Sequence, residues 1–182
     1  MEELLGSYKD ILEKVLTNAT ELKKNICNFM CFEETYKRID SVLFSKEESQ
    51  RKEQEDFLMK ALNQPKKVTK IFQASEHNFA SSAFHKICDE KKDTLVIVKT
   101  EFLKIVGGFT HYAWKSANNE NVCDGEKKSF IFSLNLMEKF SPVSGKNLLC
   151  LRKDWGPMFG YNGDLWIADQ CHNNKNSLVQ FP

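Results

Sequence analysis

The spacing of apolar positions changes character near residue 67. Leu5, Tyr8, Leu12, Val15, Ala19, Leu22, Ile26 and Phe29 are separated alternately by three and four. This is the a/d seam of a heptad repeat held for about four heptads. Phe32, Tyr36, Ile39 and Leu43 resume the spacing after an extra step of three, a phase shift that overwinds a supercoil or marks a bend. The stretch 46–56, KEESQRKEQED, has eight charged residues in eleven and predicts an exposed second helix. Ser45 and Glu48 have the spacing of a capping box that would start it. Phe57, Leu58, Ala61 and Leu62 give it an apolar end, and Pro65 stops it. Residues 1–67 are therefore expected to form a helical, coiled-coil arm. Its seam over 1–43 either joins copies into a homo-oligomer or folds back as a helix hairpin, and heptads do not choose between the two.

From residue 68 the apolar runs become short. Leu95-Val96-Ile97-Val98 is unbroken and β-branched, which fits a strand covered on both faces. A second run, Phe102 to Val106, ends in Gly107-Gly108. Adjacent glycines there predict a bulky neighbour lying on the backbone, with Tyr112 and Trp114 as the nearest candidates. Ala80, Ala83, Phe84, Ile87 and Cys88 share one face of a short helix over about 80–90, with Asn78 or Ser81 as its cap and Phe79 to staple its entry. A polar loop over 115–128 follows. Phe130, Phe132 and Leu134 then alternate with Ser129, Ile131 and Ser133, as on a strand with one apolar face. Further strands are expected at 147–151 and 165–168, with a Gly-rich loop at 155–164 and a final short apolar run at 178–179. The fold class is α+β: an antiparallel β-sandwich over 68–182 with a flanking helix, preceded by the arm.

Composition narrows the function. Of fourteen Phe, ten follow residue 70, so the dry core is expected there. A net charge of +1 argues against a dedicated nucleic-acid binder. No run approaches the ~20 apolar residues that span a bilayer, and the acidic start MEELLGSYKD lacks a basic-then-apolar leader. A cytoplasmic protein with no membrane insertion and six reduced cysteines is expected.

Chemistry is sparse. Cys27 and Cys31 would lie one turn apart on a helix, but two further metal ligands are missing. His85 and Cys88 are also one turn apart, yet Cys88 is phased with Phe84 on the apolar side. His111 and Cys171-His172 fall in loops without visible partners. Gly160-Tyr161-Asn162-Gly163 lacks the Lys-Ser/Thr of a phosphate loop and precedes a strand. Asp164 and Asp169 flank one strand and point to opposite faces. No catalytic residue, metal or cofactor is expected.

The segments FASSAFHKICDEKKDTLVIVKTE, GGFTHYAW, FIFSL and GPMFGYNGDLWIAD fall in the order and approximate spacing of the TLDc domain. Residues 70–182 thus resemble that family, which includes the oxidation-resistance proteins and protist proteins that join the domain to a coiled coil. The resemblance implies a sandwich of two antiparallel sheets with flanking helices and no established catalytic centre. It marks Phe84 and Cys88 as the inward side of the helix, and Gly107, Gly108, Phe109 and Trp114 as the glycine pair and its covering aromatics. Gly156, Pro157, Phe159, Gly160, Asp164 and Leu165 correspond to the loop and strand start, and Asp169 to the strand end. Leu103 stands where the family usually has Gly, and the 160–163 loop has fewer glycines than usual. The family's domain generally continues for several more strands, so the sandwich is expected to be truncated or open at an edge. The resemblance further implies protein binding, protection from oxidative damage, and association with the vacuolar-type proton ATPase. The alternatives are a thiol-based oxidant scavenger using Cys123 or Cys171, and a coiled-coil scaffold.

Overall fold

A computed structural model describes residues 26–36, 47–63, 67–123, 128–142, 147–160, 163–173 and 175–179. The elements are β1 (Ile26–Tyr36), α1 (Glu48–Ala61), β2 (Lys67–Gln73), a 3-10 turn (Ala74–His77), α2 (Ser81–Cys88), β3 (Thr94–Thr100), β4 (Ile105–Thr110) and β5 (Asn118–Cys123). They continue with β6 (Phe130–Ser133), β7 (Glu138–Phe140), β8 (Asn147–Arg152), β9 (Trp155–Phe159), β10 (Leu165–Ala168) and β11 (Leu178–Val179). Two sheets result, ordered β2-β1-β3-β4-β6-β7 and β11-β10-β9-β8-β5. All the paired strands run antiparallel.

The helical arm requires correction. Residues 26–36 form a strand that pairs with β2 on one side and β3 on the other. Ile, Phe, Tyr and Cys are weak helix formers and good strand formers, and over eleven residues a three-four spacing is a short sample. Two neighbours in the sheet satisfy this backbone, so no helical seam runs through Ile26, Phe29, Phe32 and Tyr36. The heptad positions Leu5 to Leu22, together with Ile39 and Leu43, lie outside the described residues, as does Ser45. The charged stretch is helical as expected, but α1 is no free arm. Its N-cap is Glu47, without a side-chain cap. Its apolar end lays Leu58, with Phe57, Met59, Ala61 and Leu62 beside it, against Leu95, Ile97, Ile105, Phe130, Phe132 and Leu134.

Between the sheets lies the second apolar cluster. It contains Val96, Val98, Val106 and Ile131 from the first sheet, and Leu149, Leu151, Phe159, Leu165 and Ile167 from the second. The first sheet is therefore buried on both faces, which explains the unbroken run at β3 and the complete burial of β6, where one apolar face was expected. The Gly107-Gly108 pair is explained by the same layering, with different neighbours from those expected. A Cβ at Gly107 would meet the Val96 carbonyl oxygen and, at 2.5 Å, the Phe132 ring. One at Gly108 would come within 2.7 Å of the Phe159 ring. Tyr112 and Trp114 are not the covering rings.

Three further strands were hidden in polar or irregular sequence. β5 is almost wholly exposed, β7 has three residues, and β9 occupies the start of the expected Gly-rich loop. Pro157 is tolerated in β9 because the β9–β10 register is broken between Trp166 and Ala168, and proline lacks a ladder donor. The β3–β4 turn places Leu103 at φ 59°, with 69% of its surface exposed. A left-handed backbone costs a non-glycine residue about 1–2 kcal/mol, while glycine gives back roughly 0.5–1 kcal/mol in chain entropy. Leu103→Gly is therefore expected to leave stability unchanged or raise it by up to about 1 kcal/mol, read from the denaturant midpoint.

Candidate interaction surface

The sequence features that pointed to chemistry converge on α2, and there they are consumed by structure. Phe84 and Cys88 face inward, fully buried. The helix has no side-chain cap from Asn78 or Ser81, and Ala80 is its N-cap residue. Instead the Asp169 carboxylate, carried on the turn after β10, accepts the Ser81 backbone N–H at 2.7 Å. It supplies from afar what an N-cap side chain usually supplies locally. Phe79 stacks on His172, with centroids 4.3 Å apart.

His85, only 6% exposed, is the hub. Its Nε2 lies 2.9 Å from both the Arg152 and the Trp155 carbonyl oxygens, so that nitrogen carries the hydrogen. Its Nδ1 lies 2.8 Å from Asp89 Oδ1, and the other Asp89 oxygen accepts the Ser116 N–H and hydroxyl at 2.8 and 2.6 Å. The imidazole thus pins the tip of the β8–β9 hairpin to α2, and Lys153 N–H adds a bond to the Ala117 carbonyl at 2.8 Å. His85→Ala strips the hairpin of this donor and is expected to cost about 2–3 kcal/mol, measured by chemical denaturation.

Three of the five thiols described are inaccessible. Cys31, Cys88 and Cys171 are fully buried, so Cys171 is not the exposed loop thiol that was expected; Cys123 is exposed. Cys27 and Cys31 share a strand rather than a helix. Four residues of strand put their backbones about 13 Å apart, too far to share a metal. Among the described residues, no three His, Cys, Asp or Glu side chains converge as a metal site. A hydrogen bond with Cys31, then burial, push the Cys88 thiol far above the usual thiol range. The folded state therefore keeps a proton that the unfolded chain releases near pH ~8.5. Its stabilising contribution is complete below that pH and shrinks as pH rises, by up to about 1.4 kcal/mol per unit. The stability advantage of the native chain over Cys88→Ala is expected to narrow above pH ~8.5 in urea titrations.

What remains open lies on the far face of the second sheet. Phe159, Leu165 and Ile167 point to the core, so alternation turns Trp166 outward, opposite Met158. Trp155 and Trp166 are both half-buried, with ring centroids 4.7 Å apart. Gly163, at φ 73°, lets the Trp166 ring lie across it, since a Cβ there would sit 2.9 Å from the indole. The Trp166 indole N–H donates to the Asn176 carbonyl. The Arg152 guanidinium lies 5.4 Å from the Trp155 ring centroid. Neither that guanidinium nor the Trp155 indole N–H has a hydrogen-bond or ion-pair partner among the described residues. Arg152 and Trp155, on a hairpin that His85 fixes in place, together with Trp166 on the neighbouring β10, have the composition of an interaction hot spot.

The positions marked by the resemblance are spread through the fold. Trp114, Phe159 and Leu165 are in the core, Gly156 and Pro157 are buried in β9, and Phe109 packs on Phe130 at 5.5 Å. Gly160 turns at φ 87° with the Asp164 carboxyl against its Cα. His111 Nδ1 lies 3.3 Å from the Ser129 hydroxyl. Sequence reasoning missed Arg152, Trp155 and Trp166 as a site. The available signal was two tryptophans at the ends of a Gly-rich segment, with an arginine three residues before the first.

The model of the TLDc domain matches residues 38–180. Neither the curated proteins nor the solved structures returned a match. No helix among the described residues is long and apolar enough to cross a membrane.

Proposed function

Because the chain belongs to the TLDc-domain family, we propose that it works as a cytoplasmic protein-interaction module with no catalytic centre, whose partner is the vacuolar-type proton ATPase. The observation that carries the binding reading is the half-open Arg152–Trp155–Trp166 face, where Arg152 and the Trp155 indole N–H have no partner among the described residues. The burial of three cysteines and the engagement of His85 support the non-enzymatic half. The pump and a role in oxidative-stress protection rest on the family alone. Co-sedimentation of the full chain with purified proton-pump complexes tests the partner. Binding that Trp155→Ala abolishes supports the reading, and failure to co-sediment removes the pump from it. The heptad spacing of Leu5 to Leu22 motivates a separate proposal, self-association of the full chain. Light scattering that gives a monomer mass would overturn that one.

A further inference from the structure

The module reading leaves open what chemistry docks on the Trp155–Trp166 face, and the charges around it are informative. The Arg152 guanidinium lies beside the Trp155 ring, 5.4 Å from its centroid, and its fork of N–H donors matches a planar anion. Arg152 is half-buried and has no carboxylate partner among the described residues, which sets a positive charge beside an apolar platform. Lys153 in the same hairpin turn is exposed, as is Lys175, next to the Asn176 that accepts the Trp166 indole. Against them stands the exposed carboxylate of Asp154. The same positive field acts on Cys150, where Arg152 partly offsets the upward push of burial on the thiol.

We propose that this face binds an acidic, extended peptide segment of the partner protein, with a carboxylate on Arg152 and an adjoining apolar side chain across the two indoles. The proposal rests on the interaction-module reading and names the ligand class of that same face. The Trp155 indole N–H, without a partner among the described residues, suits a carbonyl of an extended peptide backbone, because such a backbone presents unpaired acceptors along its length. A carboxylate on Arg152 forms two parallel charge-assisted bonds, and the lysines favour the same sign of ligand at longer range.

Selection of a displayed library of random linear peptides on the full chain tests this. The expected outcome is enrichment of peptides that pair Asp or Glu with Trp, Phe, Leu or Pro. Their affinity should fall at least ~10-fold with Arg152→Glu, fall less with Arg152→Gln, and weaken as salt is raised. Circular dichroism of each variant confirms that it is folded, and Lys153→Glu offers a second charge reversal on a side chain that is already exposed. Neutral or basic peptides whose binding is lost with Trp155→Ala would overturn the acidic ligand while leaving the module intact. Enriched peptides indifferent to Arg152 and Trp155 would overturn the site. No enrichment at all would count against both readings.

Discussion

Replacing Gly107 with alanine is expected to cost about 3 kcal/mol or more, a large share of the roughly 5–15 kcal/mol that holds a domain of this kind together. The new methyl would be driven into the Val96 carbonyl oxygen. That oxygen belongs to the neighbouring strand, whose ladder with β4 fixes its position, so no rotamer change relieves the overlap. The nearest atoms to an alanine methyl at Gly108 belong to the ring of Phe159, at 2.7–2.8 Å, and a side chain can retreat where a strand cannot. We expect about 1–3 kcal/mol there. The contrast yields a sharper test than either variant alone. Phe159→Leu frees space over Gly108, so the Gly108→Ala/Phe159→Leu pair is expected to be more stable than the sum of its single changes by about 1 kcal/mol, whereas Gly107→Ala gains nothing from it. Additive energies in the first pair would sink the packing account of the glycines.

Trp114→Ala is the second large loss, about 3–5 kcal/mol by truncation of a buried aromatic. Trp114 is 1% exposed, edge-on to both Phe84 and Phe159 at 5.5 Å, and so it joins α2 to the second sheet. Its indole N–H donates to the Thr94 hydroxyl at 2.8 Å, at the first residue of β3. Trp114→Phe retains most of the ring contact and loses the hydrogen bond, for which about 1–3 kcal/mol is expected because Thr94 is itself fully buried. Equal midpoints for the two variants in guanidinium melts would show that the bond, and not the ring, carries the stabilisation.

The parts of this fold that were legible in sequence are those where one face decides. The β3 run, the α2 face with Phe84 and Cys88, and the 165–168 strand carry apolar patterns too strong to be read otherwise, and the TLDc-like order of segments follows from them. What was not legible depended on partners distant in sequence. β1 mimics a heptad seam until β2 and β3 are placed on either side of it. β5, almost entirely polar and at a sheet edge, has no periodic signal because Val122 is the one side chain it packs against the apolar cluster. The cap of α2 comes from Asp169, 88 residues away, and no local rule finds it. The Arg152–Trp155–Trp166 face was hidden because Arg152 and Trp155 flank what reads as a glycine-rich loop, and because what marks it is that Arg152 has no partner among the described residues, a property of the folded surface alone.

The place of β1 also governs how the first sheet comes together. It leaves the ribosome ahead of both strands it must join, and the sheet does not follow chain order, since β3 pairs with β1 and not with β2, the strand before it. Pairings between segments so far apart in the chain are slow to form. A fragment begun at residue 38, where the family match starts, would take from β2 the strand it pairs with and lay one side of the Leu95–Val98 backbone bare. Such a rim recruits strands from other molecules, and the shortened protein is expected to aggregate where the longer one stays dispersed.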